Sequence, residues 1–202
     1  NVINVNGGDD TITTGNGNDV INAGAGNNSI NAGNGNDVVN AGDGDDSVNL
    51  ADGDDTASGA AGGDSILGGN GNDLISGSAG RDSLDGGSGH DLIAGGSDDD
   101  TLLGGIGDDT LNGGGGDDAV NGGAGNDVVR PSNGRDVMDG GAGADVFWFR
   151  GGDSFTLNGL VSDVIRDYNA VEDDIQIFNY SSQAPATLQS IVDLGDGGQR
   201  AS

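Results

Sequence analysis

The sequence predicts an all-β fold of stacked short repeats, and three observations predict it. A nine-residue pattern runs end to end from Val5 to Trp148 without insertion or deletion, giving sixteen units. Its eighth position is apolar in every unit, and its fourth is Gly in every unit except at Asp98. A fixed short period marks a stacked architecture, because so small a unit cannot bury its apolar side chain alone. One apolar residue in nine suffices only if the units form two facing sheets that share a thin core.

Composition narrows the partners. The chain has 202 residues, 44 of them Gly, with 34 acidic and 6 basic side chains and a formal net charge of −28. All the basic residues are Arg and Glu172 is the only Glu, so the acidity is almost wholly Asp, the short carboxylate that suits turns and hard-cation cages. So much Gly and so few aromatics would by themselves indicate disorder, but strict periodicity overrules composition. The absence of cysteine excludes disulfides and thiolate metal sites. No apolar run approaches membrane-spanning length, and the start carries no cleavable-signal pattern. Nucleic acid is disfavoured, because this charge repels phosphate. Cations are the natural counterparts.

Asn1 to Asn4 fit the last four places of a unit, with Asn1 in the sixth and Ile3 in the eighth, so the array is expected to begin upstream in a larger protein. From Val5 the sixth positions read Asp10, Asp19, Asn28, Asp37, Asp46, Asp55, Asp64, Asp73, Asp82, Asp91, Asp100, Asp109, Asp118, Asp127, Asp136 and Asp145. Only Asn28 breaks the column. Glycines allow the positive φ and close approach of a tight turn, and Asp at its end places a carboxylate beside backbone carbonyls. The three residues after Asp are expected to form a short strand with only the middle side chain pointing inward.

The array is not uniform. Early units prefer Ala first, as at Ala23 and Ala32, whereas from Gly59 the first place is mostly Gly. Ala51, Ala57 and Ala60 mark a weak point where Ala57 should thin the core, within one continuous rod. Pro131-Ser132-Asn133 is a second irregular turn, where Arg135 is expected to weaken an ion.

The columns resemble the GGxGxDxUx nonapeptide of RTX (repeat-in-toxin) proteins, U being a large apolar residue, and Gly68-Gly69-Asn70-Gly71-Asn72-Asp73-Leu74-Ile75-Ser76 is a close match. The resemblance implies a right-handed parallel β-roll in which two nonapeptides make one coil. It implies calcium ions between successive turns, held by the fifteen sixth-position Asp carboxylates from Asp10 to Asp145 and by carbonyls of turn glycines. Those glycines include Gly15, Gly17, Gly33, Gly35, Gly69, Gly71, Gly87, Gly89, Gly105, Gly107, Gly114, Gly116, Gly123 and Gly125. Eight coils would hold at most about fourteen inter-turn ions.

An eighteen-residue coil also sorts the outward seventh positions. One sheet shows Val20, Val38, Thr56, Leu74, Leu92, Thr110, Val128 and Val146, the other Thr11, Ser29, Ser47, Ser65, Ser83, Thr101, Ala119 and Val137. An apolar outer face and a hydroxyl-rich one follow.

The sequence divides into the roll, residues 1–148, and a closing segment, residues 149–202. Phe147-Trp148-Phe149, then Asp163-Val164-Ile165-Arg166-Asp167-Tyr168, then Glu172-Asp173-Asp174-Ile175 resemble the segment that closes RTX rolls in serralysin-type proteases and alginate C5-epimerase R-modules. A capping segment is needed because an open roll end exposes strand edges and core. Asp153 and Asp163 are candidates for one further calcium, and Pro185 to Leu194 for a short helix.

No enzyme is expected in this chain. Sixteen near-equivalent turns are unlike a singular catalytic pocket, and no GxSxG, HExxH or phosphate loop is present. His90, the lone histidine, falls at an outward fifth place. The leading expectation is a calcium-dependent folding module of a secreted, extracellular or cell-surface bacterial protein, virulence-associated and exported by type I secretion, with the secretion apparatus and the rest of the parent polypeptide as partners. The alternatives are an accessory module for an acidic, alginate-like polysaccharide and a structural spacer of an adhesin, surface layer or ice-binding face.

Overall fold

The computed structural model describes residues 1–150, 163–167, 169 and 171–178. Its strands are β1 (Val2–Asn4), β2 (Thr11–Asn16), β3 (Val20–Asn22), β4 (Ser29–Asn34), β5 (Val38–Asp43), β6 (Ser47–Asp52), β7 (Thr56–Ala61), β8 (Ser65–Asn70), β9 (Leu74–Ala79) and β10 (Ser83–Ser88). They continue as β11 (Leu92–Ser97), β12 (Thr101–Ile106), β13 (Thr110–Gly115), β14 (Ala119–Ala124), β15 (Val128–Asn133), β16 (Val137–Ala142), β17 (Val146–Arg150), β18 (Val164–Ile165) and β19 (Asp174–Phe178). Among the described residues there is no helix, and so none long and apolar enough to cross a membrane.

Every strand pairs in parallel with the strand two places along, so odd strands form one ten-stranded sheet and even strands a nine-stranded one. Through the repeat array the register is eighteen residues, as at Val20 with Val38 and Ile93 with Leu111. Two nonapeptides therefore close one coil. The expected partial unit also fits, since Ile3 aligns with Ile21.

One expectation needs correction. Strands such as Ser65–Asn70 span six residues, and their alternation buries both the eighth position and the first position of the next unit. These two places lie two residues apart and so share a face of the strand. The chain stays extended past the ninth residue, and only the fourth to sixth positions remain for the turn. The core is accordingly a double column: Ile12 to Phe147 at the eighth place, with Ala23, Ala32, Ala41 and Leu50 fully buried at the first.

The small Ala57 falls in a coil that also carries Leu50. Leu50, the largest aliphatic residue in the first-position column, belongs to the same buried core cluster as Ala57, and the strand register runs unbroken through both. Glycine is replaced at Ala51, Ala60, Ser78, Asp98 and Ser132, which keep the left-handed backbone with φ between 74° and 86°. Pro131 has no N–H to give, and the pairing of β15 with β17 covers only two residue pairs, ending at Val129 and Phe147.

The two outer faces follow the expected sorting. Val38, Leu74 and Leu92 line one sheet, each nearly half exposed, and Ser29, Ser47, Ser65 and Ser83 line the other. Leu67 and Leu103, at ninth positions, interrupt the hydroxyl face on either side of Asp85.

Beyond Trp148 the pairing continues. β18 lies against β16 with Ile165 opposite Met138, and β19 lies against β17 with Ile175 opposite Phe147. Asp163-Val164-Ile165 and Asp173-Asp174-Ile175 thus take sixth, seventh and eighth places in one further coil. The aromatic Tyr168, and the stretches around Asp153 and from Pro185 to Leu194, lie outside the described residues.

Candidate metal centres between the coils

The turn between strands is shaped by its glycines. Every turn glycine named above has a φ between 95° and 147°. At Gly71 (φ 127°) a β-carbon would also collide with the Gly53 carbonyl of the preceding coil. Stacked turns can approach this closely only without side chains.

The sixth-position aspartates end these turns and are buried, from 0 to 3% exposed between Asp19 and Asp145. Their two carboxylate oxygens differ. Oδ1 accepts the backbone N–H of the column neighbour one coil earlier, as from Asp19 to Asp37 (2.7 Å), Asp37 to Asp55 (2.6 Å) and Asp55 to Asp73 (2.8 Å). Oδ2 of each Asp from Asp10 to Asp127, and of Asp145, is buried and accepts no hydrogen bond. Around it are more oxygens: a β-carbon on Gly104 would stand 2.6 Å from Asp109 Oδ2 and still nearer the Gly122 carbonyl. The first-position glycine therefore opens a pocket where a carboxylate oxygen and a carbonyl of the next coil converge.

Burial dominates the electrostatics along most of this column, although at Asp19 the hydrogen bond from the N-terminal ammonium outweighs it and lowers the carboxyl. Burial pushes Asp73, Asp118 and Asp127 up to about 7, against the opposing effect of the backbone N–H each accepts, and column neighbours of like charge add to the rise. Asp55, Asp64, Asp82, Asp100 and Asp109 rise to about 6 for the same leading reason. A buried carboxylate facing carbonyl oxygens needs positive charge. Oxygen-rich pockets of this kind fit a hard cation such as calcium, which takes six to eight oxygen ligands. Among the described residues no three acidic or histidine side chains meet at one point, so such a cage would draw mainly on backbone carbonyls.

The sixth-position aspartates stack in buried columns, and three further features are not evident from the sequence. The first-position carbonyl at the pocket is a backbone group that no side-chain pattern reveals. Asp173 continues the column, its Oδ1 accepting from Asp145 N (3.1 Å), as the anticipated Asp163 accepts from Asp136 N (3.0 Å). Asp153 lies outside the described residues.

The third of these features is an outer ladder at the fifth position, running the opposite way. There the side chain accepts from the backbone one coil later, as Asn18 from Asn36 N (3.0 Å), Asp54 from Asn72 N (2.9 Å) and Asp108 from Asn126 N (2.8 Å). His90 is exposed, as expected, and its Nδ1 accepts from Asp108 N (2.9 Å). Arg135 turns out to this ladder, with Nε 3.0 Å from Asp117 Oδ2, so its guanidinium is not directed at the buried Asp136.

A model of the RTX calcium-binding nonapeptide repeat, spanning four copies, matches residues 1–30, 23–57, 58–93, 94–129 and 132–155. A search of curated protein sequences found no significant match. The matched segments cover most of the chain with the periodicity, the parallel two-sheet solenoid and the buried aspartate columns described above, and the chain belongs to the RTX calcium-binding repeat family.

Proposed function

We propose that this chain is a calcium-driven folding module of a larger secreted bacterial protein, exported by type I secretion and folding outside the cell. The observation that carries the reading is the repeated buried Oδ2 without a hydrogen-bond donor. In this reading the column carboxylates from Asp10 to Asp145, with Asp163 and Asp173 in the last coil, hold calcium together with turn carbonyls. The ion supplies the positive charge that these oxygens need. Fifteen column aspartates in a chain of net charge −28 repel one another, so ions that bind only the folded form drive folding by mass action. Extracellular calcium modules bind at roughly 10⁻⁴ to 10⁻³ M, which keeps such a chain loose in a calcium-poor cytosol. The module carries no catalysis of its own, and any activity belongs to the parent. Circular dichroism during a calcium titration tests this. The β signal should appear with calcium, and a full β signal in chelator at neutral pH would sink the reading.

A further inference from the structure

Asn28 is the one break in the aspartate column, and its side chain makes contacts that the column aspartates do not. The shared contacts are kept: Asn28 Oδ1 accepts from Asp10 N (3.0 Å), and Asn28 N donates to Asp46 Oδ1 (2.7 Å). The second arm of the side chain is Nδ2 in place of a carboxylate oxygen. It donates to the Gly26 carbonyl (2.9 Å) and, more weakly, to the Ala41 carbonyl (3.3 Å). Gly26 is the fourth-position residue of the same turn, and Ala41 the first-position residue one coil on. The Ala41 carbonyl is thus the counterpart of the Gly122 carbonyl beside Asp109 Oδ2. Half a coil earlier, the Thr14 hydroxyl donates to the equivalent Ala32 carbonyl (2.5 Å).

We propose that Asn28 is a cation-free staple, its carboxamide N–H group standing where a divalent cation stands beside the column aspartates, so that this turn closes without metal. An amide is neutral and carries both an acceptor and donors, so it satisfies the column N–H and the facing carbonyls at once. A carboxylate can do only the first. The cation stack on the even-strand side is therefore interrupted between Asp10 and Asp46, and the turn there holds its geometry independently of calcium.

The inference rests on the calcium reading, and one comparison separates the two. Full-length wild type, Asn28→Asp and Asn28→Ala are dialysed to equilibrium against saturating calcium alone, and bound ions per chain are counted. Asn28→Asp should bind one ion more than wild type, because it restores the carboxylate. Asn28→Ala should bind the same number as wild type, since no ion is lost with the amide. One ion fewer in Asn28→Ala would show that Asn28 is itself a ligand through Oδ1, and equal counts in wild type and Asn28→Asp would show that the pocket takes no ion; either overturns the proposal. Should Asn28→Asp fail to form the roll, the count for Asn28→Ala still decides. A wild type that binds no calcium overturns the calcium reading first, and this inference with it.

Discussion

At Asp37 the two carboxylate oxygens differ, Oδ1 accepting the Asp19 N–H of the preceding coil and Oδ2 buried without a hydrogen-bond donor. Replacing Asp37 by Ala leaves that buried donor unsatisfied and should cost about 1 to 3 kcal/mol. Hydrogen exchange should show protection lost at the Asp19 and Asp55 turns, which adjoin Asp37 in its column, and largely kept at the Asp46 turn. Equal loss at all three would contradict the two-column arrangement. Ala60 makes the opposite case, because φ is 81° there and a left-handed backbone strains any residue with a β-carbon. Ala60→Gly should therefore stabilise the calcium-loaded roll by up to about 1 kcal/mol, read as a raised thermal midpoint.

A single coil offers a test of how local choices combine. Leu50 and Ala57 lie on consecutive strands of one coil, a large residue in a column of small ones and a small residue in a column of large ones. Leu50→Ala should destabilise by about 2 to 5 kcal/mol, and adding Ala57→Ile should recover part of that loss. A double-mutant cycle with no coupling would show that the two do not share a cavity. Elements of this kind were only half legible in the sequence. The sixth and eighth columns stood out because their side chains carry the chemistry. The inward first position did not, because Gly has no side chain to signal it, and so nothing in the side-chain pattern marks the strand as running on into the next unit. The outer ladder hid in the run of Asn18, Asn27, Asn36 and Asp45, which reads equally well as ordinary turn preference. The last coil hid because its aspartates follow at 27 and 28 residues instead of eighteen.

Across the whole molecule the governing balance is between parallel stacking and buried negative charge. Burial raises column aspartates such as Asp73, Asp118 and Asp127, so at these groups the folded chain binds protons more tightly than the unfolded one. Stability from this source is fully present below the ordinary value of 3.8 and is lost as pH rises through about 6 to 7. In chelator, acidification from pH 8 to pH 4.5, near the ordinary carboxylate range, should therefore increase the β signal in circular dichroism. A falling signal would mean that repulsion within the columns is not what opposes folding. That balance turns on where the compensating positive charge lies. Anomalous scattering from crystals grown in calcium locates it directly: peaks are expected between successive coils, beside Oδ2 of column aspartates such as Asp73, Asp109 and Asp127, and none at Asn28. Peaks confined to the outer ladder at Asp54, Asp99 and Asp108, with none beside the buried column, would contradict this placement.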